Sequence, residues 1–190
     1  MVSAFVTPVA GASPEFVLKG SRILLDANDY EVVSVAADLF SEDVRMVTGE
    51  SIPVTTLQDG GSKTAPIFGT VGSSLPVDRL VPPGKLDVSA IEGGWERYQI
   101  EIVNHPLPGI SRALVVVGSD RRGTAYGIFH LSRMIGVSPW YWWADVPVKK
   151  QSRVVLAFPE KFVSKSPSVK YRGIFINDED WGLHPWAGKT

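Results

Sequence analysis

The sequence predicts an α/β (α+β) fold, a mixed β-sheet with two helices packed on one face. Three observations point there: short runs rich in Val, Ile, Leu and aromatics alternate with two segments of helical period, Gly, Pro, Asn or Asp bound most of those runs, and no stretch repeats at a fixed period. At roughly 150 residues per domain, 190 residues make one domain and the start of another. Apolar residues at 44% can build a core, and charged residues at 21% argue against disorder, collagen and coiled coil.

In chain order, residues 1–14 are expected to be a disordered start. They lack a basic n-region and carry Pro8 inside the would-be apolar region, so they form no convincing signal peptide. Residues 15–166 are assigned to the α/β domain and 167–190 to a separate segment. Strands are predicted at 16–18, 23–25, 67–71, 98–103, 113–117, 154–158 and 171–176, with hairpins near Gly20 and at the His-Pro-Leu-Pro-Gly run 105–109.

The first helix is predicted over 30–47. At 100° per residue, Val32, Ala36, Leu39, Phe40, Met46 and Val47 share one face, and Glu31, Asp38, Glu42 and Arg45 share the other. Asn28 and Asp29 are candidate caps and Gly49 the stop. Asp43 falls inside the apolar stripe, which requires either a partner or a kink near Ser41, and the kink is favoured. The second helix is predicted over 121–135, capped by Asp120, stopped by Gly136, with Thr124, Ile128, Leu131 and Ile135 inward. Tyr126, His130 and Arg133 lie opposite, which makes His130 a solvated or interface side chain. Residues 58–66 and 72–94, dense in Gly, Pro and Ser, read as loops.

The formal charge of −1 offers no excess of cations for nucleic-acid phosphates. No apolar run approaches the roughly 18 residues of a membrane span, so neither nucleic acid nor membrane is an expected partner. Cysteine is absent, which removes disulfides and thiolate chemistry. The turn Gly-Ser-Asp-Arg-Arg-Gly-Thr at 118–124 superficially resembles a phosphate cradle. However, Thr124 and Ala125 follow Gly123 where a Walker loop needs Lys then Ser or Thr, and the glycine spacing is not GxGxxG. Gly123 and Gly127 are better read as letting a helix lie close on its sheet. His105, His130 and His184 are far apart, and neither HExxH nor GxSxG occurs, so no metal, cofactor or serine nucleophile is assigned.

Two clusters remain. Trp140, Tyr141, Trp142 and Trp143 are nearly consecutive, too much aromatic surface to leave in water; they bury against a neighbouring layer or offer stacking faces to a ligand such as a sugar, with the interface favoured for any single ring. Asn177, Asp178, Glu179 and Asp180 follow an apolar run, where a parallel barrel gathers ligand contacts; a solvated acidic turn explains them equally well.

The stretches GSDRRGTAYGIFHLSRMIGVSPWYWWADVPV at 118–148 and YRGIFINDEDWGLHPWA at 171–187 resemble the amino-terminal part of glycoside hydrolase family 115, the xylan α-1,2-glucuronidases. The resemblance implies an amino-terminal α/β domain of the kind found before the barrel in hexosaminidases and other α-glucuronidases. Residues 167–190 then become the first strand and loop of a truncated catalytic (β/α)8 barrel. It also implies inverting removal of glucuronic acid or its 4-O-methyl ether, which needs a carboxylic acid and a carboxylate roughly 6.5–9.5 Å apart. Both are expected downstream of Thr190, so the chain alone is expected to be inactive. Asn177, Asp178 and Glu179 match the family's acidic motif as substrate-binding residues, with Asp178 the favoured sugar contact. Trp142 and Trp143 match its aromatic loop, whose expected task is docking on the barrel, with sugar stacking second. The implied partners are glucuronoxylan or derived oligosaccharides for the full-length enzyme, and the missing barrel as an intramolecular partner; an extracellular location is expected. A reading from another class is a stand-alone carbohydrate- or protein-binding module that uses the Trp-rich loop.

Overall fold

The computed structural model describes residues 14–56, 63–173 and 175. Its elements are β1 (Glu15–Val17), β2 (Ile23–Leu25), α1 (Glu31–Thr48), β3 (Val54–Thr56), β4 (Thr64–Thr70), α2 (Leu75–Asp78), β5 (Tyr98–Asn104), β6 (Arg112–Gly118), α3 (Arg121–Met134), α4 (Tyr141–Ala144), β7 (Val155–Ala157) and β8 (Lys161–Val163). A six-stranded sheet runs β3-β2-β4-β6-β5-β8 and a two-stranded sheet pairs β1 with β7. The β3, β2, β4 and β6 pairings are parallel, whereas β5 joins β6 and β8 antiparallel, so the sheet is mixed as expected.

Strand β6 is buried on both faces. Its Leu114 and Val116 belong to the cluster containing Phe40, Phe68 and Ile128, and its Ala113, Val115 and Val117 to the cluster of Val77, Leu80, Leu86 and Ile91. This explains why the run is uniformly apolar rather than alternating: a central strand covered on both sides has no solvent face. Helices α1 and α3 pack together over the first face, where Phe40 meets Phe68 edge-on at 5.8 Å. The second face is not open. Residues 72–94, predicted as loop, contain α2 and bury Val77, Leu80, Leu86, Val88 and Ile91 against the sheet. Each such side chain contributes on the order of 1.5–3 kcal/mol.

Helix α1 corrects three expectations. Its buried stripe is Val33, Ala36, Ala37, Phe40, Val44 and Val47, and the predicted Val32 and Leu39 are 37% and 45% exposed. Ala36, Phe40 and Val47 of the expected stripe are buried, but the buried face is turned toward Val33, Ala37 and Val44 instead of Val32 and Leu39. The N-cap is Tyr30, without a side-chain cap bond. The Asp29 carboxylate instead accepts the Tyr30 N–H at 2.7 Å and the Thr70 N–H at 2.8 Å, stapling the helix start to the end of β4. The helix runs unbroken through Ser41, whose hydroxyl donates to the Ile52 carbonyl at 2.6 Å, so the favoured kink is absent. Asp43 is half-buried, and burial raises its pKa. Ser132 on α3 offsets part of this electrostatically, although the buried Ser132 hydroxyl makes no hydrogen bond of ordinary length. Gly49 ends α1 as predicted, in the left-handed region at φ 88° with its N–H donated to the Arg45 carbonyl.

The hairpin expected near Gly20 does not form, because β1 pairs with β7, Phe16 opposite Leu156, while β2 enters the larger sheet. The 105–109 turn does join antiparallel partners, with Val103 opposite Ala113. Strands β3 and β8 were not foreseen, and β4 begins at Thr64, inside a predicted loop. Of the strand predicted over 171–176, residues 171–173 and 175 lie in no strand, and the others fall outside the described residues.

The close-packing role of the two glycines holds. A Cβ on Gly123 would lie 2.2 Å from the Arg97 carbonyl oxygen, and one on Gly127 would lie 2.5 Å from Val116 Cγ1. Because the first obstacle is backbone, Gly123→Ala is expected to lose roughly 1–3 kcal/mol. In thermal unfolding that lowers Tm by several degrees at about 2–4 °C per kcal/mol; an unchanged Tm would show that α3 has room to move. Asp43→Asn tests the buried acid. Its folded pKa is raised, so the ionised form costs stability at neutral pH, and that cost disappears once the pH falls below its ordinary value of 3.8. The variant is therefore expected to be the more stable protein at pH 7, with the advantage vanishing below pH 3.8 in denaturant titrations.

Candidate functional site

The β6–α3 junction is where the glycine pattern superficially resembles a phosphate cradle. Asp120 Oδ1 accepts the N–H groups of Arg122 and Gly123 at 3.0 and 2.8 Å, the donors a phosphate would otherwise use. The predicted cap is thus confirmed, and it occupies the anion position itself. One turn on, the buried Thr124 hydroxyl lies 2.8 Å from that of Thr70, linking the helix to the end of β4.

Asp120 has a second partner. Its Oδ2 accepts the Glu96 N–H at 2.6 Å. Glu96 has φ 53° in the left-handed region, yet it is only 5% exposed. Its carboxylate is shared between Arg122 from the first turn of α3, at 2.9 Å, and Arg172 from the segment leaving the domain. Arg172 also donates to the Val169 carbonyl at 2.6 Å and the Tyr126 hydroxyl at 3.1 Å, with its guanidinium over the rings of Trp95 and Tyr126. A groove of about 650 Å³ opens beside this cluster, walled by Tyr98, Phe162, Val163 and Pro167. Sequence analysis missed Glu96 and Arg172 as a pair. They are 76 positions apart, and no periodic pattern links them.

At the far end of α3, the aromatic loop forms the one-turn helix α4, which contains the backbones of Trp142 and Trp143. The side chains of those two residues lie outside what the structure describes. Trp140 is 59% exposed, and Tyr141 borders a groove of about 340 Å³ formed with Leu39, Asp43, Phe129, Ser132 and Val137. Apolar walls with a half-buried carboxylate suit contact with another surface. His130 is half-buried against residues of the same sheet. Its Nδ1 lies 3.0 Å from the Tyr98 hydroxyl and its ring packs edge-on against Phe162 at 4.8 Å. Burial, aided by the nearby Arg133, lowers its pKa, while burial raises that of Tyr98, so both are neutral at neutral pH.

The sugar-contact candidates Asn177, Asp178 and Glu179, with Asp180 beside them, fall outside the described residues. The structure brings the chain to within two residues of them in an exposed segment, where Val169, Tyr171 and Phe175 are 55%, 88% and 90% exposed.

The model of glycosyl hydrolase family 115 matches residues 164–190, the exit segment that includes Arg172. A solved structure described as a novel family GH115 4-O-methyl-α-glucuronidase, BtGH115A, with specificity for decorated arabinogalactans, aligns with 92% of this chain at 38% identity and a TM-score of 0.69. This chain spans 21% of the length of that one. A Streptomyces plicatus N-acetyl-β-hexosaminidase in complex with Thio-NAglucal aligns with 84% of this chain and 25% of its own at 12% identity, with a TM-score of 0.41 that supports no argument. No curated relative matches. With 38% of aligned residues shared over nearly its whole length and the family pattern present in its last segment, the chain belongs to glycoside hydrolase family 115.

Proposed function

We propose that this chain is the amino-terminal α/β unit of a longer inverting glycoside hydrolase that releases glucuronic acid or its 4-O-methyl ether from polysaccharide side chains. The observation that carries this reading is the 38% identity over 92% of the chain to a 4-O-methyl-α-glucuronidase, of which the chain spans only about a fifth. Family resemblance points to a xylan backbone, whereas the matched structure is described as specific for decorated arabinogalactans. The terminal uronic sugar is common to both and is the part we assign. The polymer is extracellular, and so is the enzyme in this reading.

In this reading the unit is support, and the chemistry is elsewhere. Inversion needs an acid to protonate the leaving oxygen and a base across the ring to activate water, and both come from the barrel that this chain does not cover. The chain supplies Asn177, Asp178 and Glu179 as hydrogen-bonding partners for sugar hydroxyls, Asp178 foremost. The α4 loop, with Trp142 and Trp143, docks on the barrel. The groove beside Tyr141 and the 59% exposure of Trp140 support that assignment, because such apolar surface is stable in water only at a cost.

The isolated chain, incubated with methylglucuronoxylan and with uronylated arabinogalactan, is expected to release no uronic acid, and measurable release overturns the reading. In the full-length enzyme Asp178→Asn is expected to lower kcat/KM by roughly tenfold to a hundredfold, the loss of one hydrogen bond to a charged group. Unchanged kinetics would remove Asp178 from the sugar site.

A further inference from the structure

We propose that Glu96 is a positioning residue: it grips Arg172 and thereby sets the direction in which the chain leaves the α/β unit toward Asn177–Glu179. That the direction matters for sugar contact rests on the function proposed above. The grip itself does not.

The backbone provides the first argument. At φ 53°, Glu96 occupies a region that Gly, Asn or Asp adopts far more readily. Two glycines stand just upstream, at 93 and 94, so the loop already uses flexible residues where they suffice. A side chain kept at a strained backbone position points to a role for the side chain. Here that side chain is a carboxylate, 5% exposed, with both oxygens engaged by guanidinium groups.

The second argument is what each partner is tied to. Arg122 belongs to the first turn of α3, which the Asp120 cap holds in place. The same Asp120 carboxylate accepts the Glu96 N–H at 2.6 Å. One end of the grip is therefore rigid. Arg172 is the other end. Among the described residues from 169 to 175, it makes the ion pair, hydrogen bond and ring contact back to the α/β unit, with Glu96, Tyr126 and the ring of Trp95. Its neighbours Tyr171 and Phe175 point large apolar surface into water, at 88% and 90% exposure. A planar guanidinium suits this task because it can bond a carboxylate edge-on while stacking its face on aromatic rings, which an ammonium cannot do.

Backbone amide ¹⁵N relaxation over 168–173 reads the grip without any substrate. In the wild-type chain the order parameters are expected near about 0.85, as for rigid backbone, and in Glu96→Gln they are expected to fall below about 0.6. Glu96→Gly separates this from a purely structural role. It relieves the backbone strain and keeps the N–H bond to Asp120, so Tm should hold or rise while the exit segment loosens as in Glu96→Gln. Amides of β4 and β6 should not change in either variant. Wild-type order parameters retained over 168–173 in both variants, or values already low in the wild type, would overturn the proposal. Because no polysaccharide is involved, its failure is distinguishable from failure of the glycosidase reading.

Discussion

The carboxylate of Asp120 holds three peptide N–H groups at once, those of Arg122 and Gly123 opening α3 and that of Glu96 across the turn from β5. Charge-assisted bonds to backbone donors are among the stronger contacts available to a protein, and this one ties the end of β6, the start of α3 and a strained loop into one rigid corner. The remaining features of that corner follow. With the helix start in place, Arg122 is aimed at Glu96, Glu96 has room for Arg172, and the last described segment is tethered to the side of the sheet where α3 begins.

The corner is possible because α3 lies close against the sheet at two glycines. Gly123 and Gly127 remove the Cβ atoms that would meet the Arg97 carbonyl and Val116, and the Thr70–Thr124 hydroxyl pair uses the space between. On the opposite face the sheet is covered by α2 and an irregular stretch rather than by a second pair of helices. The unit is therefore tightly constrained where the chain turns from β6 into α3. Exposed apolar side chains include the outer residues Val32, Val35 and Leu39 of α1, Phe129 of α3 and Trp140, besides Tyr171 and Phe175 on the tethered segment. The matched glucuronidase structure is about five times as long as this chain.

Much of the architecture was legible along the chain. The apolar run at 113–117 marked a strand, Asp120 and Gly49 marked helix ends by local hydrogen bonding, and the glycines at 123 and 127 marked a close approach. Each of these signals involves neighbours a few residues apart. The misreadings arose where partners are distant. The stripe of α1 was misplaced because its buried face is chosen by α3, and the Gly20 hairpin failed because β1 found β7 some 140 residues away. The candidate site divides the same way: the aromatic loop and the acidic motif could be picked out by composition and resemblance, while Glu96 reads as an ordinary surface acid.

Local chemistry thus specified which segments become strands and helices, how most of them end, and to which family the chain belongs, since propensity, capping and contiguous motifs are properties of short stretches. Folding in three dimensions chose the strand order, the buried face of α1 and the grip of Glu96 on Arg172 across 76 positions. The physical reason is that an ion pair or a strand pairing depends on distance in space, and distance in space between remote residues is set by the packing of everything between them.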